Sequence, residues 1–141
     1  MSKIAVVYWS GTGNTEAMAN LVAEGATSAG AEAEVISCAD FSADKAASYG
    51  AIAFGCPAMG SEVLEEMDFQ PMFDACKNML SGKRVALFGS FGWGDGQWMR
   101  DWESDCSNAG ISLTCESVTC CETPDDTALA ACREMGKALA G

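Results

Sequence analysis

The chain has 141 residues, 49% of them hydrophobic and 20% charged, which is the size and composition of one globular domain with a single core. Its net charge of -12, from 20 acids against 8 bases, excludes charge-driven binding to a nucleic-acid backbone or an anionic membrane and favours basic partner surfaces. No apolar run approaches the ~20 residues of a membrane span, and the N-terminus lacks the features of a signal peptide, so a cytoplasmic location is expected.

Ile4 to Trp9 is a continuous run of β-formers, as in a strand covered on both faces. Met18, Leu21, Val22 and Gly25 then recur at helical spacing, with Gly30 as a stop. Glu32 to Cys38 reads as a second strand, 40–49 as a short helix or loop, and Ala51 to Cys56 as a third strand. Phe69, Met72, Phe73, Cys76 and Leu80 mark one helical face, and Lys83 to Ser90 is a fourth buried strand. Trp98, Met99, Trp102 and Cys106 line another helix. Residues 111–121 hold the last strand, and Leu129, Cys132, Gly136 and Leu139 the closing helix. This alternation predicts an α/β fold, a doubly wound parallel sheet of five strands in one domain spanning 1–141. Ligands of such sheets bind beyond the carboxyl ends of the strands, here the loops at 10–15, 56–62 and 90–96.

The eight cysteines contain no Cys-x-x-Cys, and there is no histidine to complete a zinc site. Cys115-x4-Cys120 begins like an iron–sulfur run, but the next ligand would fall at Thr123. No metal is expected, and the cysteines read as small buried hydrophobes in a reducing compartment.

The first loop, Ser10-Gly11-Thr12-Gly13-Asn14-Thr15, lies between a strand and a helix, where backbone N–H groups can hold an anion. It is not a Walker A loop, since no lysine lies between Lys3 and Lys45. It is not a dinucleotide fingerprint either, since Glu16 stands where the third glycine belongs. A monophosphate held by neutral donors remains, beside the alternative of a tight turn with a helix cap. A phospho-acceptor receiver domain would need acids after the first strand and an aspartate after the third, where Ser10-Gly11 and Cys56-Pro57 stand.

Tyr-Trp-Ser-Gly-Thr-Gly-Asn-Thr-Glu (8–16) resembles the phosphate loop of the flavodoxins. Gly-Cys-Pro-Ala-Met-Gly-Ser-Glu-Val-Leu-Glu-Glu (55–66) resembles the first flavin loop of their short-chain branch, and Gly-Ser-Phe-Gly-Trp-Gly-Asp-Gly-Gln-Trp-Met-Arg-Asp (89–101) the second. The resemblance implies the flavodoxin-like strand order 2-1-3-4-5 and one bound flavin mononucleotide (FMN). It implies a one-electron carrier, not an enzyme, working between redox partner proteins mainly through the semiquinone/hydroquinone couple. The carrier is expected to be a monomer.

By position, the resemblance assigns the phosphate to Ser10, Gly11, Thr12, Gly13, Asn14 and Thr15. Pro57, Ala58, Met59, Gly60, Ser61 and Glu62 form the next contact set, with Met59 on one ring face, the Gly60–Ser61 peptide beside N5 and Glu62 at N3. Ser90, Phe91, Gly92, Trp93, Gly94 and Asp95 form the third, with Trp93 on the other face. Ser61 and Pro57 depart from the pattern, which usually has Asp or another residue tolerant of a turn at the first place and a hydroxyl residue at the second. A flavin reductase of the same fold would need a second substrate pocket over one ring face, which Met59 and Trp93 would cover. Glu62, Glu65, Glu66, Asp68 and Asp74, with no lysine or arginine from Cys56 to Cys76, are expected to disfavour a reduced flavin anion and lower its potential. Glu62, Glu65, Glu66 and Asp68 are also expected to steer docking.

Overall fold

A computed structural model describes residues 3–9, 11, 13–59, 64–92 and 96–141. Five strands, β1 (Lys3–Tyr8), β2 (Glu32–Ser37), β3 (Ala51–Gly55), β4 (Arg84–Phe91) and β5 (Val118–Cys121), form one sheet in the order β2-β1-β3-β4-β5. Every pairing is parallel. The crossovers carry α1 (Asn14–Ser28), α2 (Ala43–Ala46), α3 (Phe69–Cys76) and α4 (Gln97–Asn108), and α5 (Asp126–Ala140) follows the last strand. The expected order 2-1-3-4-5 is therefore the observed one.

The two-residue period of the strands divides the core into two layers. Ala5, Val7, Ile52, Phe54, Val85 and Leu87 face the side covered by α2, α3 and α4. There Phe54 meets Phe73 edge-on at 5.1 Å, and Trp102 meets Phe69 edge-on at 5.5 Å. Ile4, Val6, Ala51, Ala53, Ala86 and Phe88 face α1 and α5. Three of those six are alanines, so the helices on this side can lie close to the sheet.

They also lie close to each other. Gly25 of α1 backs onto the Arg133 carbonyl, and Gly136 of α5 backs onto the Val22 carbonyl and the Ala26 N–H. A Cβ at either glycine would overlap backbone, so this pair sets the α1–α5 distance. The expected helical faces hold, with two adjustments: Leu21 and Leu129 are only half-buried, and Ala128 takes the inward place beside Leu129.

The last strand is shorter than expected. Only Val118–Cys121 pairs continuously with β4, while Leu113 makes an isolated bridge to Val85. Thr114 N–H donates to the Val85 carbonyl at 2.8 Å and the chain then leaves the ladder. Ser117 instead donates its hydroxyl to Glu103 at 2.8 Å, a side-chain contact that alternation of residue types cannot reveal.

The eight cysteines are all free thiols; six are buried, Cys115 is half-buried and Cys121 is exposed. Burial pushes the Cys76 thiol up to about 11 and the Cys132 thiol up to about 12, so these groups act as small apolar side chains. Cys121 is the exception to the all-buried reading.

Gly136→Ala tests the helix contact. Helix propensity alone favours Ala by about 1 kcal/mol, whereas overpacking against backbone costs about 1–3 kcal/mol. A net loss of up to about 2 kcal/mol in denaturant unfolding is expected, and a gain would show that the helices can separate at no cost.

Candidate functional site

The carboxyl ends of β1, β3 and β4 bring the three loops to one edge of the sheet, as the topology requires. At the first, Trp9 N–H donates to the Gly55 carbonyl at 3.0 Å, and the chain then turns into α1. Gly13 caps that helix with φ 94°, a left-handed conformation that glycine adopts without strain. Its carbonyl accepts the Ala17 N–H at 3.0 Å, so the first-turn N–H groups of a 15-residue helix point into the loop.

Thr15 is 1% exposed and Ser90 4%, and their hydroxyl oxygens lie 3.4 Å apart. That is longer than a well-formed hydroxyl hydrogen bond, so each oxygen retains capacity for a further partner. Residues 75 positions apart thus meet in one cradle, Thr15 from the first loop and Ser90 from the third. Tyr8 donates its hydroxyl to Glu16 Oε2 at 2.9 Å, and this bond, with burial and the nearby carboxylate charge, raises the Tyr8 phenol. Glu16, which stands where a dinucleotide fingerprint has its third glycine, is thus the acceptor for the last residue of β1, a role that no local pattern marks.

The second loop begins as a continuation of the sheet. Cys56 N–H donates to the Phe88 carbonyl at 3.1 Å and Ala58 N–H to the Ser90 carbonyl at 2.9 Å. Pro57 falls between the two donors, at a position that gives nothing to β4, so its missing N–H breaks no bond on that side. Pro57, Ala58 and Met59 are half-buried. Gly60, Ser61 and Glu62 lie outside the described residues, as do Ser10, Thr12, Trp93, Gly94 and Asp95.

Glu65 departs from its expected place among the exposed docking acids. It is 6% exposed, and its carboxylate accepts N–H bonds from Met67 at 2.9 Å, Asp68 at 2.7 Å and Phe69 at 2.8 Å. Burial raises its carboxyl, but the bonds from Phe69, Asp68 and Met67 outweigh this and leave it below its ordinary value. The carboxylate satisfies the N–H groups of the turn into α3, Met67 and Asp68 ahead of the helix and Phe69 as its first residue. A cap-like carboxylate ahead of an apolar helical face was the available signal, hidden by Glu66 and Asp68 just after it. Its own N–H donates to Cys56 Sγ at 3.4 Å, so Cys56 and Glu65 fasten the two ends of the loop together.

At the third loop, Phe91 is half-buried against Trp98, ring centroids 5.5 Å apart, and its carbonyl accepts Glu122 N–H at 2.7 Å. Gly92 is exposed. Among the described residues no group of three or more histidine, cysteine or acidic side chains is placed to hold a metal. Among the same residues no helix is long and apolar enough to cross a membrane.

The family model for flavodoxin matches residues 6–136. The chain belongs to the flavodoxin family. It is 44% identical to the flavodoxin of Clostridium beijerinckii over 135 residues, covering 96% of this chain and 97% of that protein. To the flavodoxin of Megasphaera elsdenii it is 43% identical over 137 residues, covering 97% and 98%. It superposes on the solution structure of the two-electron reduced Megasphaera elsdenii flavodoxin with a TM-score of 0.90, at 43% identity over 97% of this chain and 98% of that one. Oxidised flavodoxin 1 of Bacillus cereus matches at TM-score 0.84 and 27% identity, covering 98% and 97%.

Flavodoxins are FMN-binding electron-transfer proteins and not enzymes, and this chain is one of them. The residues present fit the cofactor. A left-handed glycine cap, a helix N-terminus and the hydroxyls of Thr15 and Ser90 form a donor set without a cation, suited to one terminal phosphate ester.

The Glu65 carboxylate generates a stability prediction. Glu65→Gln removes the charge from three N–H bonds and is expected to cost about 1–3 kcal/mol in denaturant unfolding at neutral pH. Because the folded carboxyl lies below its unfolded value, its contribution is complete above about pH 4.3 and is lost as pH falls through the folded value. The gap between native and variant should therefore close in acid. A gap constant from pH 7 to pH 3 would remove the charge from the explanation.

Proposed function

We propose that this chain is a low-potential one-electron carrier in which Ser10 to Thr15 hold the FMN phosphate. In this reading Pro57 to Glu62 and Ser90 to Asp95 hold the ring, with Met59 and Trp93 on its two faces. The observation that carries it is the cradle at the α1 N-terminus, where Gly13, Thr15 and Ser90 converge from two loops. Bound FMN supplies the one-electron redox chemistry.

The protein's own groups bind the phosphate through neutral donors, seal the Thr15–Ser90 side from water and supply the electrostatic setting. Glu66 and Asp68 are exposed just beyond the second loop. Added to a net charge of -12, they disfavour further negative charge on the cofactor, which lowers the potential of the last electron.

The chain passes electrons to redox partner proteins. The acidic surface supports partners with basic docking faces, and Glu66, Asp68 and Glu62 are the proposed steering charges, with Glu65 removed from that set. A monomer of one 1–141 domain is proposed. A cytoplasmic location is proposed as well, supported by eight free thiols that suit a reducing compartment.

Apoprotein titrated with flavins is expected to bind FMN at least tenfold more tightly than riboflavin, read by quenching of flavin fluorescence. Equal affinities would overturn the phosphate assignment. Electron transfer to a basic partner should slow as salt rises from 0.01 to 0.5 M, since exposed charges are screened beyond about 10 Å at 0.1 M. A stopped-flow rate indifferent to salt would leave the acids without a docking role.

A further inference from the structure

Trp98 and Trp102 lie one turn apart on α4, 1% and 2% exposed. Their indole N–H groups meet opposite fates. Trp98 Nε1 donates to the Cys56 carbonyl at 3.1 Å, while Trp102 Nε1, among the described residues, has no hydrogen-bond partner.

The Cys56 carbonyl belongs to the peptide that leads into Pro57. The residue before a proline is confined to extended backbone, and the pyrrolidine ring fixes the next φ near -65°. Holding that one carbonyl therefore sets the direction in which Ala58 and Met59 leave the sheet. Gly89 makes room for the arrangement, since a Cβ there would run into the same carbonyl. Trp98 also packs on Phe91, so one side chain touches the start of the second loop and the end of β4. It stands on α4, two residues past the 90–96 loop.

We propose that Trp98 is a positioning residue for the flavin site, acting through the Cys56 carbonyl to hold the Pro57–Ala58–Met59 segment against Phe91 and Gly92. This rests on the FMN reading above. The indole donates one hydrogen bond to a buried carbonyl, and without it that oxygen loses a partner in a place water does not reach. The carbonyl would then rotate toward another donor and carry the loop with it.

Trp102 provides a matched control, an indole of equal burial on the same helix whose N–H is not engaged. Trp98→Phe and Trp102→Phe are compared for FMN affinity by fluorescence titration, for the reduction potentials of bound FMN, and for unfolding of the apoprotein. Trp98→Phe should weaken FMN binding about tenfold, equivalent to about 1.4 kcal/mol, and shift the potentials. Trp102→Phe should leave affinity within about twofold and potentials unchanged, whatever its effect on unfolding. Equal weakening by both variants, or affinity within about twofold for Trp98→Phe, would overturn the role. Should Trp98→Phe fail to fold, replacing the Trp98 indole by benzothiophene exchanges only the N–H for sulfur at nearly constant shape, and the same tenfold loss or its absence decides. Failure of the native chain to bind FMN would instead overturn the cofactor reading, and this one with it.

Discussion

The ladder between β3 and β4 runs on after β3 ends, and the site is built on that overrun. Cys56 and Ala58 still donate to the carbonyls of Phe88 and Ser90, so the loop proposed to hold the flavin starts as sheet. Two consequences follow from this backbone constraint. Ser90 is carried to the rim of the sheet, where its hydroxyl meets that of Thr15 from the neighbouring loop. The Cys56–Pro57 peptide is also held at a fixed height against β4, within reach of the Trp98 indole. A loop anchored in this way can present backbone groups to a ligand with little ordering cost on binding.

The far end of the same loop is anchored by charge. Glu65 accepts three N–H bonds of the turn into α3, and its own N–H reaches back to Cys56. Of the acids between Cys56 and Cys76, this one is spent on backbone. Asp74 is paired with Lys77 at 3.1 Å. Glu66 and Asp68 are exposed and, among the described residues, form no ion pair with a lysine or arginine. Glu65 keeps its charge but turns it onto backbone N–H groups, which leaves Glu66 and Asp68 as the exposed acids of the turn. Those charges sit on a turn whose backbone is fixed by their buried neighbour. A fixed charge acts on the cofactor and on an approaching partner at a defined distance, which an acid on a mobile loop would not.

The architecture was legible because its signals are periodic. Continuous apolar runs such as Ile4 to Trp9 mark strands covered on both faces, and the 3.6-residue recurrence of Trp98, Met99, Trp102 and Cys106 marks the buried stripe of α4. The positions of the three loops followed from the topology; the hydroxyls of the first pointed to a phosphate, and the resemblance of all three motifs to the flavodoxins pointed to a flavin. The roles of single polar groups were hidden. Nothing local distinguishes Glu65 from Glu66, because what separates them is which one the turn folds over. Nothing local separates Trp98 from Trp102, since both belong to the same buried stripe and differ only in what lies opposite their N–H. Residues 115–117 left the ladder for a similar reason, a contact between Ser117 and Glu103 across 14 positions.

The two faces of the sheet are built for different purposes, and the difference bears on function. On the α1–α5 face, alanines in β3 and β4 and the Gly25–Gly136 contact bring backbones together, leaving little to rearrange. The proposed phosphate end of the site, at the N-terminus of α1, is fastened to this side. On the α3–α4 face the core is aromatic, with Phe54, Phe69, Phe73 and Trp102 meeting mostly edge-on. The loops proposed for the ring lead into α3 and α4 from this second side. An electron carrier needs its cofactor retained through every turnover while the groups around the ring respond to a changing charge. In the proposed site, anchoring the phosphate to the closely packed backbone layer and the ring to loops held by a few hydrogen bonds would divide those two demands between the two halves of one core.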